Sequence, residues 1–443
     1  MKYTTEKNSW YLSAFEKFEQ SLNGESASRL HTLRRSALER FNSLGFPTTR
    51  HEEWRFTNIS PILKTNFRPV LNPTAEGLSR KDVGQFAFGT RHLLVFVNGF
   101  FSGDLSTLDE LPGDAYCGSL ATAVKSDHPV LRQHLAQYAT YDDNAFSALN
   151  TAFLRDGAFI YVPDGIVMDD SVHLLFIAAG KDHALISPRN LIVVGKNSQV
   201  SIVESYVSLA TSSYLTNVLT EIVVGDHSVI EHDKLQNERR DAFHIASIHA
   251  LQGTQTNLIS NSISIGGSLV RNNVTSVLDA EGSECTLNGL ALATGTQLID
   301  NHTTIDHAKP RCVSHELYKS ILDGKSRGVF NGKIFVRKDA QKTDAKQTNK
   351  TLLLSEDATI DTKPQLEIFA DDVKCTHGAT VGQLDAEQIF YLRSRGIDDT
   401  TARDILTFAF ASDVVSRVHV DPLREQLEAL VHSRLDQGRT LQD

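Results

Sequence analysis

From about residue 88 to residue 383 the chain carries almost no apolar stripe at the helical spacing of 3.6 residues. Instead it has short runs rich in Val, Ile, Thr, Ser and Asn, broken by Gly, Asn and Asp: Leu93–Val97, Phe159–Val162, Leu174–Ile177, Leu191–Val194, Ile222–Val224, Ile263–Ile265 and Ile334–Val336. That pattern predicts strands. One echo narrows the architecture. Ile192-Val193-Val194-Gly195-Lys196-Asn197-Ser198 returns thirty residues later as Ile222-Val223-Val224-Gly225-Asp226-His227-Ser228. A strand, a Gly corner and a small polar residue, repeated, fit successive rungs of a β-helix. A large β-sandwich would also give many short strands. Roughly 300 residues are too many for one sandwich, and stretches such as Thr254–Asn273 offer Asn, Ser and Gly for stacked corners.

Both flanks return to helical spacing. Tyr11, Phe15, Phe18 and Leu22 form one stripe with Asn23-Gly24 as its stop, and Leu30, Leu33, Ala37, Phe41 and Leu44 form a second, ended by Gly45 and Pro47. At the other flank Asp385 caps a helix that stops at Gly396, Ala402, Ile405, Leu406 and Ala409 begin another, and Asp421-Pro422 opens a last one along Leu423, Leu427, Leu430 and Val431. The expected division is a helical region 1–87, a β-helix core 88–384 and a helical region 385–443. A helical appendage on a rigid core suits docking, so its removal is expected to leave a soluble β core.

Several function classes are excluded. The net charge of −10 disfavours a phosphate backbone as partner, hence no nucleic acid. No run approaches the ~18 apolar residues of a membrane helix, and the first residues hold no apolar signal core, so no membrane is expected and the compartment is the cytoplasm. Four cysteines, Cys117, Cys285, Cys312 and Cys375, include no CxxC pair, which leaves neither a disulfide framework nor a complete local metal site. There is no Walker A pattern and hence no ATP site of its own. No dinucleotide fingerprint, GxSxG elbow or flavin motif is visible, and no catalytic residue is assigned.

The most informative chemistry is Cys375-Thr376-His377-Gly378, after the strand-like Leu366-Glu367-Ile368-Phe369. On extended backbone, residues i and i+2 face one side, so Cys375 and His377 would present a thiol and an imidazole together. Both ligate iron or zinc, yet a cluster needs about four ligands. A structural reading stands beside this one: the cysteine packs as a small hydrophobe and the histidine satisfies a carbonyl near the Gly378 turn. A second row, Asp300, His302, Thr304 and Asp306, shares one parity, with His307 opposite. It reads as a solvated face of a rung, with acid–base or cation chemistry as the alternative. His244 and His249 fall on opposite sides of a strand, and Glu231-His232-Asp233 reads as a charged corner.

DNHTTIDHAKP (Asp300–Pro310), SHELYKSIL (Ser314–Leu322), GVFNGKIFV (Gly328–Val336), AQKTDAKQTNKTLLLS (Ala340–Ser355), KPQLEIFADDVKCTHGATVG (Lys363–Gly382) and FYLRSRGI (Phe390–Ile397), in this order, resemble the SufB/SufD family of the SUF iron–sulfur cluster assembly system. GFPTTRHEEWRFTN (Gly45–Asn58) also resembles that family, and residues 60–290 match only in general β character. The chain is shorter than typical SufB chains and lacks their clustered N-terminal cysteines, so it is nearer the SufD branch. The resemblance implies a right-handed parallel β-helix core with N- and C-terminal α-helical regions. It implies pairing with SufB through the β-helices, docking of the SufC ATPase on the C-terminal helices, and a non-catalytic scaffold role; the isolated chain could form a homodimer. It further implies that His377, with Cys375 beside it, lies at the SufB–SufD interface as a shared ligand of iron or of a transient iron–sulfur cluster. Two rival readings stand: a carbohydrate-active β-helix enzyme using Asp300 and Asp306, and a purely structural partner in which His377 merely packs.

Overall fold

In the computed structural model, which describes residues 2–22, 28–73 and 77–440, strands of eight to ten residues alternate between two parallel sheets. One sheet stacks Leu215–Val224, Phe243–Gln252, Leu269–Leu278, Leu298–His307, Arg327–Val336 and Thr359–Ile368. The other stacks Gln199–Ser208, Val229–Asn237, Asn257–Ser264, Glu284–Ala293, Val313–Leu322, Asp344–Leu353 and Lys374–Gly382. The chain passes from one sheet to the other at every corner, so it winds as a β-solenoid of about eight turns. The expected β-helix with helical flanks is what forms. The Asn23-Gly24 stop lies outside the described residues.

The repeated septet is a pair of neighbouring rungs, with Ile192, Val193 and Val194 directly beside Ile222, Val223 and Val224. The corner glycines touch: a Cβ on Gly225 would stand 2.7 Å from the carbonyl carbon of Gly195. Ser228 Oγ accepts from the Ser198 amide at 2.9 Å and donates to the Gly195 carbonyl at 2.5 Å. Beside them runs a column of left-handed residues, Asn197, His227, Gln255, Gly282, Arg311 and Lys342, with φ between 50 and 76°. Each donates its amide to a carbonyl of the following rung, as Arg311 does to Gln341. These inter-rung bonds offset the strain of a left-handed non-glycine residue.

Polar strand interiors hid several strands from the sequence. Most of Thr254–Asn273 is strand, with Ser260, Ser262 and Ser264 buried, and the chain turns at Thr254-Gln255 and around Gly266-Gly267. Glu231-His232-Asp233 is likewise mid-strand and not a corner. Helices Leu120–Lys125, Pro129–His134 and Ala145–Ala152 interrupt the stretch before the regular coil starts at Ala158. At six to eight residues each they are too short to write a long stripe.

The coil interior is an apolar column from Leu94 and Ile160 through Ile222 to Phe330. The helical regions cover opposite outer faces. Tyr11, Phe15, Phe18 and Phe41, with the helix Ala145–Ala152, pack on Leu215, Phe243, Ile245 and Leu269 of one sheet. Ala411, Val414, Val415, Leu423, Leu427 and Val431 cover Val203, Leu235, Ile263, Leu290, Leu292 and Ile321 of the other. Asp385 accepts from the Glu387 amide at 2.8 Å, and Gly396 (φ 87°) ends that helix, as the spacing predicts. In the helix Asp399–Val415, however, Ile405 faces out while Thr407 is buried. Removing 385–443 would bare the apolar sheet face that these helices cover.

The two ends of the coil differ. At the first end the sheets are extended by antiparallel strands: Tyr116–Ser119 on Ala158–Val162, and Phe100–Phe101 on His92–Val97. At the last end Thr359–Ile368 and Lys374–Gly382 each have, among the described residues, a neighbour on one side only.

Candidate functional site

Cys375 and His377 lie on the last strand, Lys374–Gly382, in register with Ala345 and Gln347 of the rung below. Ala345 and Gln347 are buried inside the coil, so the two residues above them share that side, at its open end. The sequence pairing of these two positions on one face agrees with this placement. Cys375 is half-buried against the small cluster formed by Ile334, Val336, Ala340 and Ala345; His377 is exposed. Burial, with the Asp344 carboxylate next in effect, pushes the Cys375 thiol up. The thiol therefore stays protonated at neutral pH until a cation or a partner lowers it. Among the described residues no three His, Cys, Asp or Glu side chains converge to hold a metal. The pair presents one thiol and one imidazole at an accessible surface.

The surrounding surface suits a protein neighbour. Pro364, which has no amide hydrogen, sits within the edge strand Thr359–Ile368. Phe369 is 59% exposed and Val381 48%, and both lie in the last turn. The following helix, Ala386–Ser394, presents Phe390 (74% exposed) and Tyr391. An unpaired parallel edge with apolar residues beside it is a liability unless another chain covers it.

The Asp300 row is an outward rung face that is covered rather than open to solvent, wholly at Asp300 and partly at His302, Thr304 and Asp306. Asp300 is fully buried, accepting from Arg271 Nη1 at 2.7 Å and Thr57 Oγ1 at 2.5 Å, with His302 Nε2 at 3.0 Å. Arg271 also donates to the Glu53 carbonyl at 2.7 Å and lies 3.9 Å from the Trp54 ring centroid. Burial alone would raise the Asp300 carboxyl, but Arg271 and His302 outweigh it and hold it at about 2. Together with Glu52–Lys363 at 2.7 Å, these contacts clasp the HEEWRFTN segment to the last rungs. Asp306 is tied to Arg337 by two bonds of 3.0 and 2.7 Å. His307 points inward to Ser314 at 2.9 Å. A carboxylate sealed beneath a peptide segment has no access to a sugar, so the row does not support the carbohydrate-enzyme reading. His244 faces the interior against Glu238 at 2.7 Å, apart from His249, as expected.

Sequence reading missed the polar residues inside the coil. Lys234 Nζ meets His244 Nε2 at 2.9 Å and Asn272 Oδ1 at 2.7 Å, and Tyr206 donates to Glu204 at 2.7 Å. Nearer the open end, Glu316, Gln347 and His377 occupy one register column. The thirty-residue echo carried part of the signal: it aligns 347 with 377, while 316 lies thirty-one residues before 347.

Known proteins match this chain along its length. Residues 176–410 match the model of the SUF system FeS cluster assembly SufBD core domain, and residues 5–174 that of the SufBD protein N-terminal region. An iron–sulfur cluster assembly SufBD family protein of Synechocystis is 35% identical over 427 residues, covering 93% of each chain. The iron–sulfur cluster assembly protein SufD of Escherichia coli is 32% identical over 404 residues, covering 90% of this chain and 92% of its own. The chloroplastic protein ABCI7 of Arabidopsis thaliana is 29% identical over 425 residues, 94% and 88% of the two chains.

Proposed function

The chain belongs to the SufBD family of iron–sulfur cluster assembly proteins, and from that premise we propose that it is a SufD-type, non-catalytic scaffold subunit that shares a nascent-cluster site with SufB. The carrying observation is the incomplete pair, Cys375 and His377, at the open end of the coil, flanked by an unpaired edge and exposed Phe369 and Val381. SufB would cover that end and supply the remaining ligands. Iron is cargo here. A neutral His377 imidazole offers it a lone pair, and Cys375 follows once the metal or the partner draws off its proton. The raised Cys375 thiol favours His377 as the first ligand. Phe390 and Tyr391, exposed on a helix continuous with the C-terminal bundle, are suited to receive the SufC ATPase. Its nucleotide cycle would load the helices that cover one sheet, and only a difference in affinity between two arrangements could do work on the interface.

The test is co-expression with SufB and SufC, followed by gel filtration and analysis of iron and sulfide in wild type and His377→Ala. Wild type should co-elute with both partners, and the variant should co-elute equally while losing most of its cluster. A variant that accumulates cluster at the wild-type rate would leave only a passive structural role.

A further inference from the structure

Beneath His377 the coil interior holds a polar file. Glu316 and Gln347 are both buried, and they are register partners on adjacent rungs, as Gln347 and His377 are on the next pair. Gln347 Nε2 donates to Glu316 Oε2 at 2.7 Å. Its other polar atom, Oε1, is buried and has no hydrogen-bond partner among the described residues. An orphaned carbonyl inside a coil is costly and calls for a donor. Gly332 makes room for this amide: a Cβ there would stand 2.4 Å from Gln347 Nε2.

The molecule contains a worked instance of the same ladder. On Val229–Asn237, Asn257–Ser264 and Glu284–Ala293, Asp233, Asn261 and Asn288 are register partners. Asn261 Nδ2 donates to Asp233 Oδ1 at 2.6 Å, and Asn261 Oδ1 accepts from Asn288 Nδ2 at 2.8 Å. A carboxyl at the foot takes the amide nitrogen, which leaves the amide oxygen to receive a donor one rung up. Glu316 and Gln347 repeat the lower two members, and His377 stands where the third belongs.

Resting on the reading of His377 proposed above, we infer that Gln347 is the positioning residue for that histidine: when a partner closes the coil end, one imidazole N–H donates to Gln347 Oε1 and the other nitrogen is turned toward iron. Glu316 sets the direction by accepting from the amide nitrogen. Burial pushes the Glu316 carboxyl up to about 7, and its oxygen accepts from the amide in either protonation state. A ring held by one N–H has a single tautomer and a defined lone pair, and losing such support costs metal affinity about tenfold or more.

The experiment is an anaerobic titration of ferrous iron into the purified complex, comparing Gln347→Met, the exchanged pair Glu316→Gln with Gln347→Glu, and His377→Ala. The methionine keeps length and packing but removes the acceptor. The exchanged pair reverses the lower bond and keeps an acceptor beneath His377. The expected result is that Gln347→Met binds iron about tenfold more weakly while the exchanged pair stays near wild type. A packing role predicts the opposite order. Wild-type affinity in Gln347→Met, with binding lost in His377→Ala, overturns this inference and leaves the His377 assignment standing. Unchanged affinity in His377→Ala overturns both. Should the methionine variant fail to fold, the exchanged pair decides alone: retained affinity supports the file, and a loss matching His377→Ala overturns it.

Discussion

Asp300 illustrates how a residue's role depends on partners that the local sequence does not reveal. Its row invited a reading as solvated carboxylates because parity was the only information at hand. Beyond His302, its partners Thr57 and Arg271 lie 243 and 29 residues away in the chain. Breaking a buried pair leaves one charge uncompensated, so Asp300→Ala should destabilise the fold by about 3 kcal/mol in urea unfolding at neutral pH. The sign with pH follows from the folded carboxyl, held at about 2 by Arg271 and His302 against burial. In the unfolded chain the group titrates near about 4. The contribution is therefore full above about pH 4 and lost as pH falls through the folded value. The gap between variant and wild type should narrow between pH 7 and pH 2. A gap that stays constant would mean that lost packing, not charge, sets the cost. Cys375 and His377, by contrast, were legible because two residues on one strand need no third element to share a face.

At the scale of elements, the apolar part of some strands could be read, their polar part could not, and the most polar strands escaped altogether. Ile222–Val224 was recognised, yet the strand begins at Leu215; Ile334–Val336 was recognised, yet the strand begins at Arg327. Inside a coil, Asn, Ser and Thr satisfy one another across rungs, so they need no turn, although isolated in sequence they resemble one. The echo succeeded because it records a corner, where backbone meets backbone. Gly225→Ala sets a methyl 2.7 Å from the Gly195 carbonyl carbon, a contact that no rotamer change relieves. It should lower stability by at least about 2 kcal/mol, measured by chemical denaturation. A loss below about 0.5 kcal/mol would show that the corner can spread. Gly378, with nothing within 4 Å, is the matched control.

For the whole molecule, the helical regions cover opposite outer faces and leave one coil end to make contacts. Phe369→Asp combined with Val381→Asp should abolish pairing through that end, read as a shift to monomer mass by light scattering, with the melting temperature unchanged. A complex that keeps its mass would place the interface elsewhere. The asymmetry of the ends has a further consequence. A stack of identical parallel rungs with two bare ends would grow head to tail into fibres, since every addition would regenerate the template. Here the antiparallel strands at the first end block one direction of growth. Two such rods meeting at their bare ends use up the template on both, so growth stops at two.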